Sequence, residues 1–138
     1  MKFYLFLFIF AVGFIACKSS SQKENTTQTT STETAKKVIH RVDNATFAQQ
    51  MTNSPEAQLI DVRTPEEYKE GRIENAVNIN YYDDDFAQQA ISKLDKNKPV
   101  LVYCARGGRS AKAAKVLKKQ GFTEIYDLKT GYTGWGEK

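Results

Sequence analysis

The 138-residue chain has one histidine, two cysteines and three prolines. A single histidine excludes a histidine-rich metal centre, and two cysteines cannot build the disulfide framework that holds small secreted folds together. Charge of one sign is also scarce: 20 Lys and Arg stand against 16 Asp and Glu, a formal net charge of +4. No basic stripe is interleaved with aromatics, so nucleic acid is not an expected partner. The length excludes two ordinary domains. What is present, 41% hydrophobic and 26% charged residues, suffices for one globular core. If a single residue carries chemistry, a cysteine is expected to be that residue.

Only one uncharged apolar run is long. It extends from Phe3 to Ala16 behind Lys2, shorter than the ~20 residues that span a bilayer comfortably, and small Ala16 sits where a signal peptidase would cut. Residues 1–16 therefore read as a signal peptide. The tetrad Phe14-Ile15-Ala16-Cys17 resembles the lipobox of bacterial lipoproteins, which implies cleavage before Cys17 and lipidation of that cysteine; the alternative is plain secretion with Cys17 free. Half of residues 18–37 are Ser or Thr, and Ala35 is the only apolar one, a composition too polar to order itself. Residues 17–37 are thus expected to form a disordered tether with an r.m.s. reach of roughly 25 Å. The expectation is an exported lipoprotein, facing the periplasm or anchored to the outer membrane.

From residue 38 to 138 the pattern alternates. Val38–Val42 reads as a strand, followed by a helix capped by Asp43 or Asn44 that places Phe47 and Met51 on one face. Gln58–Val62 is a second strand. Thr64, Pro65 and Glu67 then satisfy a capping box with proline at the first helical position. Strands follow at Ala76–Ile79, Pro99–Tyr103 and Glu124–Leu128, with helices over Phe86–Leu94, after Gly107-Gly108, and over Thr130–Trp135. Strands alternating with helices predict an α/β domain, a parallel sheet of about five strands with helices on both faces. Ligands bind such sheets at the carboxyl ends of strands.

One such end reads Tyr103-Cys104-Ala105-Arg106-Gly107-Gly108-Arg109-Ser110. A thiol between a buried strand and a helix start meets main-chain N–H groups and the positive end of the helix dipole, both of which favour a thiolate. Arg109 is expected to add positive charge. Gly107 and Gly108 allow a loop to curl its amides inward. Arg106 either projects to attract an anionic donor or is simply exposed. Lys112, Lys115, Lys118 and Lys119 are expected on a solvated helix face.

With Asp61-Val62-Arg63, Glu67-Tyr68, Gly71 to Ile79, the Cys104 loop, Gly131 and Trp135, the folded part closely resembles the rhodanese family of sulfurtransferases. The resemblance implies a rhodanese-like fold, Cys104 as a persulfide-bearing nucleophile, a cradle from the amides of Ala105 to Arg109, and Asp61 and Arg63 near the site. Asp61 is equally a candidate for a structural acid that hydrogen-bonds a loop. The implied reaction moves sulfur from a donor such as thiosulfate to cyanide or a thiol, protein thiols included, by a monomer that needs no metal or organic cofactor. Related phosphatases use Cys-x5-Arg, whereas here the arginine falls at Cys-x4-Arg and Ser110 occupies the next position. A tethered binding or persulfide-relay module, and a phosphatase or arsenate reductase, are the competing readings.

Overall fold

The computed structural model describes residues 38–136. The signal run, Cys17 and the polar tether lie outside them. The described chain runs β1 (Val38–Val42), α1 (Asn44–Asn53), β2 (Gln58–Asp61), α2 (Pro65–Glu70), β3 (Val77–Asn78), α3 (Phe86–Lys93), β4 (Val100–Tyr103), α4 (Gly108–Lys119), β5 (Glu124–Leu128) and α5 (Gly131–Trp135). The five strands form one sheet in the order β1-β5-β4-β2-β3, and every pairing is parallel. This is the α/β architecture expected from the alternating pattern.

Local signals set the element ends. Asp43 caps α1 by accepting from the Thr46 N–H at 2.9 Å. The Thr64 and Glu67 capping box opens α2 as expected, with Pro65 at its first position, where proline loses no helical hydrogen bond. The strand expected over Ala76–Ile79 shortens to Val77–Asn78 because a turn claims its first residue. The Ala76 N–H bonds the Ile73 carbonyl at 3.2 Å, and the Ala76 carbonyl accepts from the Tyr68 hydroxyl at 2.6 Å.

β4 lies in the middle of the sheet and all four of its residues are buried. Successive side chains of a strand point to opposite faces, and β4 feeds two cores accordingly. Val100 and Val102 join Ile60, Phe86, Ala90, Ala113, Ala114 and Leu117 on the side of α3 and α4. Leu101 and Tyr103 join Phe47 and Leu128, with Tyr68 and Trp135 packed against them, on the side of α1, α2 and α5. With both faces covered, the chain leaving β4 emerges at the rim of a rigid platform, and Cys104 is the first residue there.

Candidate active site

Three neighbours fix the loop between β4 and α4. Gly107 adopts φ +76° at the N-terminus of α4, where a side chain would be driven into the Lys129 carbonyl, so only glycine fits. Gly108 is different. A Cβ there would meet nothing within 4 Å, and the need for flexibility expected at both glycines rests on Gly107 alone. Beneath the loop, Gly131 at φ +67° brings the backbone so close that a Cβ would sit 2.5 Å from the Ala105 carbonyl. The next two amides then bond the loop: Tyr132 N–H to the Cys104 carbonyl at 2.7 Å and Thr133 N–H to the Ala105 carbonyl at 3.0 Å. From β1, Arg41 donates to the Gly107 carbonyl at 3.2 Å.

The Cys104 side chain is almost wholly enclosed, with 1% exposure, at the base of a cleft of about 440 Å³ lined by Thr64, Glu67, Tyr82, Ala105, Arg106, Gly108 and Arg109. Burial pushes the thiol up, but the amide and hydroxyl of Ser110 and the amides of Arg106 and Arg109 outweigh it and leave Cys104 below the ordinary thiol value. Hydrogen bonds to a charged form favour that form. Ser110, expected with Ala105 to Arg109 in the anion-binding loop, has a fully buried side chain. Arg106 lines the cleft and is exposed, as both of its expected placements require. The α4 lysines are exposed as expected.

Arg109 does not face the sulfur as a free cation. It makes a two-pronged ion pair with Glu67, both hydrogen bonds at 2.7 Å, while its guanidinium carbon lies 5.4 Å from the centre of the exposed Tyr82 ring. The Arg109 hydrogen bonds hold the Glu67 carboxyl down to about 2. Glu67 therefore serves twice, since it also accepts from the Thr64 N–H at 3.1 Å as the helix cap. Its capping role is legible in the sequence; its partner 42 positions away is not.

Asp61 and Arg63 lie outside this cleft. Both are buried, and Arg63 donates to the Asp61 carboxylate at 2.6 to 3.0 Å and to the Gly71 carbonyl at 2.6 Å. The guanidinium also lies 4.2 Å from the Tyr132 ring centre. The pair ties the end of β2 to the α2–β3 connection and to α5, which corresponds to the structural role weighed for Asp61. Two other surface recesses, one beside Met51 and Leu101 and one beside Tyr68 and Arg72, carry no cysteine.

A thiol ringed by main-chain amides at the carboxyl end of a central parallel strand marks an α/β protein equipped to stabilise an anionic sulfur. The rhodanese-like domain family matches residues 44–138, and the chain belongs to that family. It is 45% identical over 82 residues to the uncharacterized protein YqhL of Bacillus subtilis, a match covering 59% of this chain and 63%, less than two thirds, of YqhL. It is 33% identical over 88 residues to thiosulfate sulfurtransferase GlpE of Shewanella oneidensis, covering 64% of this chain and 84% of that one. Among solved structures, a rhodanese-like domain protein of Staphylococcus aureus superposes with a TM-score of 0.61 at 29% identity, over 70% of this chain and 91% of that one. The human single-domain sulfurtransferase TSTD1 gives 0.59 at 25%, over 71% and 96%.

The Glu67–Arg109 pair predicts a pH signature. The folded-state pKa of Glu67 is depressed, so its stabilisation is present at neutral pH and is lost as pH falls from the ordinary 4.5 through about 2. Glu67→Gln is expected to lower stability by about 1 kcal/mol at pH 7 and to lose less stability than wild type on acidification. Urea unfolding at several pH values checks this, and parallel curves for the two proteins would contradict it.

Proposed function

We propose that the protein is a sulfurtransferase that carries sulfane sulfur on Cys104. The observation that carries this reading is the setting of Cys104, a buried sulfur between the end of the central strand β4 and the N-terminus of α4, in a cleft it lines with Arg106 and Arg109; hydrogen bonding by the Ser110, Arg106 and Arg109 amides keeps its thiol below the ordinary value despite burial. Relatives named thiosulfate sulfurtransferase support the general activity. In the first half-reaction the Cys104 thiolate attacks the outer sulfur of thiosulfate. A Cys104–sulfur bond forms, the sulfur–sulfur bond of thiosulfate breaks, and sulfite leaves with the electron pair. The amides that hold the thiolate then hold the negative end of the persulfide, using dipoles already in place. Cyanide or a thiolate next attacks the outer sulfur, and Cys104 departs as the thiolate that began the cycle.

The cleft suits such reactants. Its exposed Arg106 offers a positive charge to an anionic donor, and Arg109, which lines the same cleft, is committed to Glu67. A phosphatase reading is disfavoured by Ser110, which stands in the loop position where those enzymes carry arginine. The signal run and Cys17 support a further part of the proposal: the domain works outside the cytoplasm, tethered by a lipid on Cys17.

Two experiments test these statements. Treatment with thiosulfate is expected to add the mass of one sulfur atom to wild type and none to Cys104→Ala, and cyanide should remove it as thiocyanate. Mass spectrometry showing no sulfur gain on wild type would sink the proposed chemistry. In bacterial cells, the wild-type chain is expected in the membrane fraction and Cys17→Ala in the soluble exported fraction; identical fractionation would remove the lipid anchor.

A further inference from the structure

The most exposed large hydrophobic side chain among the described residues, Tyr82 at 65%, lines the cleft that holds Cys104. No loose loop leaves it there, because the turn after β3 is pinned at each step. The Tyr81 N–H bonds the Val62 carbonyl at 3.2 Å, the Tyr82 N–H bonds Asn80 Oδ1 at 3.2 Å, and the Asn80 side-chain amide donates to the Asp83 carboxylate at 2.6 Å. Tyr81 packs the turn against the core, its ring centre 5.5 Å from that of Phe86. The Tyr82 ring meets the Arg109 guanidinium at 5.4 Å, and Arg109 is in turn locked by its two 2.7 Å hydrogen bonds to Glu67. Glu67, Arg109 and Tyr82 thus form a supported aromatic platform in the wall of the cleft.

The small reactants do not account for such a platform. The cleft volume of about 440 Å³ falls in the ~300 to 1,000 Å³ range of clefts that hold organic molecules, and diatomic cyanide or thiosulfate fills a small part of it. Cys104 is 1% exposed, so an accepting atom must reach the base of the cleft while the body that carries it lies against Thr64, Tyr82 and Arg106. Tyrosine and arginine are enriched among the side chains that dominate contact surfaces, and a ring held in advance gives contact area at little entropic cost. A peptide offers N–H groups to the face of a ring and carbonyl oxygens to a guanidinium. Cyanide offers no such body.

We propose that Tyr82 is a specificity-determining residue of the second half-reaction, its ring receiving the backbone around a peptide-borne cysteine thiol. The thiolate of that cysteine attacks the outer sulfur of the Cys104 persulfide. A sulfur–sulfur bond forms to the peptide, the bond from the outer sulfur to Cys104 breaks, and Cys104 departs as a thiolate with the electron pair. The peptide leaves as a persulfide. The inference deepens the sulfurtransferase reading and rests on it.

The test is steady-state sulfur transfer by the full chain from thiosulfate to each of three acceptors: cyanide, 2-mercaptoethanol and a short peptide with one central cysteine. Each acceptor is compared across variants, so differences in thiol pKa cancel. Tyr82→Ala is expected to lower kcat/KM for the peptide about tenfold more than for either small acceptor, chiefly through KM, and Tyr82→Phe, which keeps the ring, to restore most of the loss. An equal fall for all three acceptors would make Tyr82 part of the scaffold, and no fall for the peptide would make it a bystander; either overturns the role. An equal fall for both thiols overturns it too, since the ring would then not read the peptide body. The side chain is exposed, and transfer to cyanide reports the integrity of the cysteine loop in each variant. Sulfur loading from thiosulfate is scored separately by mass: none on wild type would remove the sulfurtransferase reading and this role with it, whereas loading with unaltered acceptor preference in Tyr82→Ala would remove the role alone.

Discussion

The outward pull on three loop carbonyls is the constraint on which the site depends. Cys104 and Ala105 give their carbonyls to the first amides of α5, and Gly107 gives its carbonyl to Arg41. A peptide whose C=O is engaged on one side turns its N–H to the other. The engaged Ala105 carbonyl thereby turns the Arg106 N–H inward, while the Arg109 and Ser110 N–H groups, in the first turn of α4, have no acceptor within the helix and favour the thiolate with it. Remove those anchors and the loop has no reason to keep its N–H groups together around a buried atom. Gly107 and Gly131 belong to the same constraint, because a Cβ at either would occupy the space through which these bonds are made.

The rest of the fold supplies the anchors at fixed positions. β4 is buried on both faces, so its end cannot shift without disturbing two cores, and close-packed interiors resist such shifts. α5 is short, yet it is held by Trp135 against Phe47, with ring centres 5.7 Å apart, and by Tyr132 against the Arg63 guanidinium. The buried Asp61–Arg63 pair thus reaches the active loop indirectly, through the helix that bonds its carbonyls. Truncating one partner of a buried pair leaves the other charge uncompensated. Arginine at 109 is similarly committed, since its charge meets Glu67 before it meets the sulfur.

The strand-and-helix alternation, the capping box at Thr64 and the cysteine loop were all legible in the sequence, because each is written in neighbouring residues. Gly107 was legible as a backbone device, but Gly108 looked alike and is not one: glycine identity does not report whether φ is positive or the space occupied. The Glu67–Arg109 pair, the Arg41 brace and the Arg41–Asp127 ion pair join residues on different elements, and nothing local encodes such a pairing. Asp127 in particular stands inside the strand run Glu124–Leu128, where nothing local marks it as buried. Its burial follows from β5 lying between β1 and β4, a strand order that periodicity does not reveal. Asp61 and Arg63 were legible as a pair of interest; only the three-dimensional structure separates their bracing of Gly71 from the lining of the cleft.

The central claim is that main-chain amides of one loop stabilise a sulfur anion on Cys104. A crystal structure of the protein after reaction with thiosulfate tests it most directly. The account predicts one additional sulfur on Cys104, within hydrogen-bonding distance of the Arg106, Arg109 and Ser110 amides, with the loop backbone unmoved. A sulfur that turns away from these amides, or one bound elsewhere while Cys104 stays unmodified, would contradict it.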